Sequence, residues 1–160
     1  MKKIKLTQGQ FALVDDEDYE SLNKFKWHAT KTKVGTFYAR RNSLKGEFEK
    51  YKTIRMHNQI TGFEMLDHID GDGLNNQKSN LRECNHSQNM SNRKAYGKSG
   101  YKGVGFNKKI NGINYYHARI KHDGKEYYLG YSSDPIECAK LYNDAALKHF
   151  GKFAKLNKFD

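Results

Sequence analysis

The sequence predicts an α+β fold whose C-terminal part is a three-stranded antiparallel sheet packed on one helix. Two observations carry this. Residues 101–160 hold three strand-type runs separated by turn signals, and a capped amphipathic run follows them. Residues 1 to about 52 mix short apolar strand-type runs with apolar residues at helical spacing. The length, 160 residues, allows one ordinary domain or two small ones. Small domains bury a lower fraction of their surface, so neither part can carry a deep core.

In chain order, Phe11-Ala12-Leu13-Val14 is a short apolar run of strand type. Asp15 to Asp18 is an acidic cluster suited to a helix N-terminus, where the dipole favours negative charge. Tyr19, Leu22 and Phe25 then recur at helical spacing. Trp27 and Phe37-Tyr38-Ala39-Arg40 read as strand material, with Trp27 a core anchor rather than a base-stacking residue. The run from Ile54 to Ile60 reads as a short helix carrying His57. A dense polar motif fills residues 53–93. Residues 94–100, with Gly97, Ser99 and Gly100, read as a flexible linker. This gives a first module over 1–93 and a second over 101–160.

The second module opens with strands over 101–106, 114–121 and 125–131. Asn111-Gly112 and His122-Asp123-Gly124 supply the turns between them. Asp134 fits a helix N-cap, Pro135 the first helical position, and Glu137 completes a capping box. Ile136, Ala139, Tyr142, Ala146 and His149 or Phe150 line one helical face, and Gly151 fits the stop.

Charge narrows the partners. Lys and Arg number 29 against 18 Asp and Glu, a net charge of +11. Such a surplus favours a polyanion, nucleic acid before membrane, although a solvated face would also account for it. Residues 94–160 carry 13 Lys and Arg against 6 Asp and Glu, and residues 1–93 carry 16 against 12. The tail is the more positive per residue, which suits a grip on phosphates. Aromatics at 13% argue against disorder despite a mean hydropathy of -0.98. Cys84 and Cys138 form no C-x-x-C pair, so neither a zinc ribbon nor a disulfide framework is expected. That pattern suits a reducing cytosol. No apolar run approaches the roughly 20 residues that span a bilayer. The N-terminus lacks the apolar stretch of a signal peptide. A cytoplasmic protein without a membrane partner is expected.

The informative segment runs Met65-Leu66-Asp67-His68-Ile69-Asp70-Gly71-Asp72-Gly73-Leu74-Asn75-Asn76, then Ser79-Asn80-Leu81-Arg82, then Ser87-Gln88-Asn89. It offers an acid beside a histidine, a polar turn, a strand ending near Cys84 and a helix starting near Ser87. Asn80 lies 12 residues after His68, and Asn89 lies 21 after it. The order and spacing resemble the HNH nucleases with a ββα-metal active site, especially the phage-type homing endonucleases. The resemblance covers about residues 55–93, and several uncommon polar residues match in order.

What the resemblance implies is hydrolysis of a phosphodiester in double-stranded DNA. His68 would take a proton from the attacking water, as a neutral imidazole can near physiological pH. Asp67 and Asn89 would hold one divalent ion, Mg²⁺ or another such as Mn²⁺, through oxygen atoms. Asn80 would fix the loop that orients His68. Arg82 and Arg93 flank the motif and are candidates to pair with phosphate, with solvated charge as the plain alternative. His57 is a minor candidate, more simply read as packing. No small-molecule cofactor is expected, and the oligomeric state is open at this point. An Asp-Gly-Asp-Gly run could also be a plain polar turn. A calcium loop is not expected, because no Glu stands at the twelfth position counted from Asp67 or Asp70, and a loop from Asp72 to Glu83 has Leu74 and Gln77 where a ligand and a glycine are needed. Adjacent Asp67 and His68 can serve one site only if the strand ends there and the chain bends.

Residues 101–157 resemble the DNA-binding domain of plant ethylene-response factors, the APETALA type. The matching residues are Tyr101-Lys102-Gly103-Val104, Ala118-Arg119-Ile120-Lys121, Tyr128-Leu129-Gly130, Leu141-Tyr142-Asn143-Asp144-Ala145-Ala146 and Ala154-Lys155-Leu156-Asn157. That family lays its sheet in the major groove. By position, Lys102, Arg119, Lys121 and Tyr128 become candidate DNA contacts. Gly105, Asn107 and Glu126 stand where basic residues are common, so the plant family's preferred site does not transfer. One of Tyr127 and Tyr128 should face the helix. Two readings compete with a homing-type endonuclease. One is a sequence-specific DNA-binding regulator with an inactive nuclease-like domain, and the other is a non-specific nuclease toxin.

Overall fold

The computed structural model describes residues 1–93 and 99–159, so most of the linker expected over 94–100 lies outside the described residues. The architecture is α+β, built from small antiparallel sheets and four α-helices. The chain divides into two compact units, Met1–Asn85 and His86–Asp160. Among the described residues no helix is long and apolar enough to cross a membrane.

The first unit begins with a hairpin of β1 (Lys2–Lys5) and β2 (Phe11–Val14), paired antiparallel. Alternation along them turns Ile4, Ala12 and Val14 inward. Helix α1 (Asp16–Leu22) follows, with Asp16, Glu17 and Asp18 in its first turn as expected of the acidic cluster. Strands β3 (His28–Lys31), β4 (Phe37–Asn42) and β5 (Thr53–Arg55) form an antiparallel sheet in that order. Helix α2 (Met56–Thr61) starts directly from β5 and ends at Gly62, whose φ of 76° is a left-handed cap suited to glycine. Strands β6 (Leu66–His68) and β7 (Leu81–Glu83) pair antiparallel, with Asp67 opposite Arg82.

One core joins these pieces: Ile4, Leu6, Ala12, Val14, Leu22, Trp27, Ala29, Ala39, Met56 and Leu74. Trp27 anchors it as expected, 3% exposed, with Nε1 donating to the Leu22 carbonyl at 2.8 Å. The polar loop between β6 and β7 is tied to the same core. Leu13 N–H donates to Leu74 O at 2.8 Å, and Asn76 N–H donates to Leu13 O at 2.8 Å. Arg41 is buried beside this core. Its guanidinium stacks on Phe25 at 4.0 Å and makes two bonds to the Glu47 carboxylate, the geometry that makes a buried charge tolerable.

The second unit holds α3 (His86–Ser91), then β8 (Val104–Ile110), β9 (Ile113–His122) and β10 (Lys125–Ser132) in an antiparallel sheet ordered β10-β9-β8. Helix α4 (Pro135–Phe150) packs on it. Both hairpins turn where expected. Asn111 and Gly112 have φ of 48° and 83°, and Asp123 and Gly124 have 49° and 77°. Two positive φ values in succession match the tight turns whose twist suits a hairpin. The first strand starts later than expected, at Val104, because Gly103 sits at φ 75° and leaves the strand conformation. Its missing Cβ also matters, since one there would lie 1.9 Å from the Tyr142 ring.

Asp134 caps α4 by accepting from Ile136 N–H at 2.8 Å, with Pro135 next. The expected capping box is rerouted. Asp134 N–H donates to Ser132 Oγ at 3.0 Å, and that hydroxyl donates to Glu137. The buried face of α4 is Cys138, Ala139, Tyr142, Ala146 and Phe150, so Cys138 replaces Ile136 and Phe150 is chosen over His149. Tyr127 stacks on His149 of α4, with ring centroids 5.7 Å apart, and Tyr128 is 57% exposed.

Candidate functional site

Strand β6 ends at His68, and the chain bends at once, with Gly71 N–H donating to His68 O at 2.9 Å. Asp67 and His68 are each 5% exposed. The loop after them is built from carboxylate and amide side chains bonded to nearby backbone. Asp70 Oδ1 accepts from Asp72 N–H at 2.8 Å, and Asp72 Oδ1 accepts from Leu74 N–H at 3.0 Å. Such local bonds are why Asp and Asn favour turns.

Asn80 locks this loop from the start of β7. Its Oδ1 accepts from Asp70 N–H at 3.1 Å, and its Nδ2 donates to Asp70 Oδ1 at 3.0 Å and to Asn75 O at 2.8 Å. Its carbonyl accepts from Ile69 N–H at 2.9 Å. A single buried amide therefore grips both ends of the segment that follows His68. Burial would raise the Asp70 carboxyl, but the bonds from Asp72 N–H, Asn75 and Asn80 outweigh it and hold it below the usual range.

Around His68 the structure assembles Asn76 and Tyr38, which the sequence did not join to it, and His57, the minor candidate. Asn76, 0% exposed, sets its Oδ1 3.4 Å from His68 Nε2 while its Nδ2 donates to Leu74 O. An amide oxygen at Nε2 favours the tautomer with its proton there. Tyr38 meets the His68 ring edge-on at 5.7 Å, and His57 meets it at 4.9 Å. Burial pushes the His68 imidazole below its usual range, against the Asn76 contact and the Asp70, Asp67 and Asp72 charges. Burial pushes His57 down to about 3, helped by His68, Arg55 and Arg40. Gly73 completes the packing, since a Cβ there would lie 2.4 Å from Phe37 O and 2.6 Å from the Tyr38 ring.

Asp67 is held by an arginine. Arg82 Nε and Nη2 both donate to Oδ2, at 3.0 and 2.6 Å. The side chains are 6% and 15% exposed. Arg82, a candidate to pair with phosphate, places its guanidinium on Asp67 in this structure. The cause is the β6–β7 register, which sets the two residues opposite each other, and the need of a buried carboxylate for a counter-charge.

Asn89 and Arg93 fall in the second unit, Asn89 on α3 and Arg93 just after it. Among the described residues no group of three or more His, Cys, Asp or Glu converges as a metal cage. The expected pair, one carboxylate and one amide, is the oxygen chemistry that a hard cation accepts with water and phosphate filling its shell.

In the second unit Arg119 and Lys121 are exposed on β9, and Tyr128 stands opposite Arg119 on β10. Arg119 Nη1 donates to Glu126 at 3.1 Å. The half-buried Lys102 donates its ammonium to the carbonyls of Ser91 and, at 2.8 Å, Arg93, at the C-terminal end of α3. Cations are favoured at a helix C-terminus, so a phosphate contact by Lys102 requires it to release these carbonyls.

A buried carboxylate and an imidazole in succession, with an amide-locked loop behind them, are groups of the kind that acid–base chemistry uses. Comparison with known proteins names the class. The chain is 30% identical over 156 residues to an uncharacterized HNH endonuclease of Acanthamoeba polyphaga mimivirus, a match covering 96% of this chain and 78% of the relative. The chain belongs to the HNH endonuclease family. No family model matches it, and no solved structure matches it.

Proposed function

We propose that this chain is a divalent-metal-dependent, homing-type endonuclease that hydrolyses phosphodiester bonds of double-stranded DNA. The observation that supports this most is the strand end at Leu66–His68, where buried Asp67 and His68 stand together and Asn80 pins the following loop. His68 accepts a proton from water at Nδ1, while Nε2 stays bonded toward Asn76. The water oxygen bonds to phosphorus as the bond from phosphorus to the 3′ oxygen breaks. Asn80 keeps the ring in place through the loop. Asp67 and Asn89 would hold the Mg²⁺ or Mn²⁺ ion, which when bound polarises the phosphate and stabilises the leaving oxygen. Arg82 supplies the counter-charge beside Asp67 and, in the substrate complex, turns toward phosphate.

The second unit is the proposed DNA-gripping part, with Arg119, Lys121, Tyr128, Arg93 and Lys102 as its contacts. A DNA-binding regulator with an inert nuclease-like part has one observation in its favour, the guanidinium on Asp67. Supercoiled plasmid separates the two readings. Cleavage with Mg²⁺ should stop with chelator and with His68→Ala. Absence of cutting by the wild-type chain, or cutting that ignores both changes, overturns the proposal.

A further inference from the structure

We propose that Arg40 and Arg55, linked to His68 by His57, form a phosphate-binding subsite that holds a backbone phosphate of the DNA strand being cut. The inference rests on the reading of His68 above, and it starts from an oddity of the β4–β5 ladder. Arg40 and Arg55 are register partners on those strands. Like charges directly opposite each other across a ladder destabilise it. Among the described residues neither arginine is paired with a carboxylate. Arg40 Nε is buried and has no hydrogen-bond partner, the kind of orphan that native structures seldom keep without a reason.

His57 follows Arg55 by two residues, at the start of α2. It is 5% exposed, and the hydrogen bond made at this residue is to its carbonyl, from Thr61 Oγ1 at 2.9 Å. Among the described residues neither of its ring nitrogens has a hydrogen-bond partner. Its ring stands 4.9 Å from the His68 ring. The charges of Arg55 and Arg40 reach it strongly enough to oppose its protonation. Two paired-register guanidiniums without a carboxylate partner thus lie next to an imidazole without a ring hydrogen bond, and that imidazole stands against the proposed base. A ligand that neutralises the two guanidiniums is an anion with several acceptor oxygens. A phosphodiester is such a ligand, and arginine's fork matches it. Seated there, one phosphate of the strand would fix the register of its neighbours against His68.

The test uses the full chain and a short DNA duplex, with affinity measured across a salt series in the presence of chelator. Arg55 is exposed, so Arg55→Gln leaves the fold intact. Losing one phosphate contact should make the slope of log affinity against log salt shallower by about one. Arg55→Lys should restore it. The double variant Arg40→Gln with Arg55→Gln should lose more affinity while melting at the same or a higher temperature, because a like-charge pair has gone. A slope identical to wild type in both glutamine variants overturns the subsite, as does a double variant that loses affinity only by unfolding. The two proposals fail separately. If His68→Ala still cuts while Arg55→Gln flattens the salt slope, the assignment of His68 as the base falls and the subsite stands. If His68→Ala is inactive and the slope is unmoved, only the subsite falls.

Discussion

Acid should weaken the first unit well before its carboxylates titrate, and His57 sets the size of the effect. In the folded chain this imidazole is pushed down to about 3, by burial first and then by His68, Arg55 and Arg40. In the unfolded chain it returns to about 6.5. The folded state thus binds the neutral form, and its advantage is complete above the unfolded value. Below pH 6.5 the unfolded chain takes up a proton that the folded chain refuses. Each further unit withdraws about 1.4 kcal/mol until the folded value is reached. From pH 7 to pH 5 the loss is about 2 kcal/mol from His57 alone, a large share of a typical domain's stability. His68 is shifted in the same direction and adds to it. Trp27 is the sole tryptophan and lies in the same core as Met56, the residue before His57, so its fluorescence reports this unit. Urea unfolding at pH 7, 6 and 5 should show the midpoint falling with little change in slope. His57→Phe, which keeps a ring and cannot be protonated, should lose about 2 kcal/mol less over the same range. Equal losses in the two proteins would refute the reasoning, as would a wild-type midpoint that does not move.

Three substitutions test other contacts. Arg82→Met leaves the Asp67 carboxylate buried without its counter-charge and should cost about 3 kcal/mol in urea unfolding; a cost near zero would mean the pair is solvated. Asn80→Ala removes the side-chain bonds to Asp70 and Asn75, so a loss of roughly 1–3 kcal/mol and slower plasmid cutting are expected. Unchanged stability and rate would show that the loop holds itself. Gly103→Ala places a methyl 1.9 Å from the Tyr142 ring at a φ of 75°, and overpacking with backbone strain should lower the second unit's stability by about 2 kcal/mol or more. Circular dichroism melting that matches wild type would contradict that geometry.

The sequence was most legible where chemistry is local. The second unit's hairpins follow from Asn111-Gly112 and Asp123-Gly124, and its helix start from Asp134-Pro135, because turns and caps are decided within a few residues. The first unit depends more on distant pairing. The polar run at Lys2–Lys5 becomes a strand because β2 lies beside it and Ile4 has a core to enter. Thr53–Arg55, read in part as helix, becomes a strand because β4 offers it a ladder. The site divides along the same line. Asp67, His68 and Asn80 could be read from one contiguous motif, and the loop bonds of Asn80 are local enough to foresee. Asn76 could not be told from Asn75, since only the bond to Leu13 fixes which of the two turns inward. Arg82 could not be matched to Asp67 without the β6–β7 register. Tyr38 lies on another sheet, and no periodicity along β4 indicates that it packs against His57 and His68. The chemistry of a base depends on what surrounds it. Here the surroundings are supplied by strands and a helix far upstream, so a motif can name the imidazole while the fold decides whether it is neutral, oriented and beside an anion.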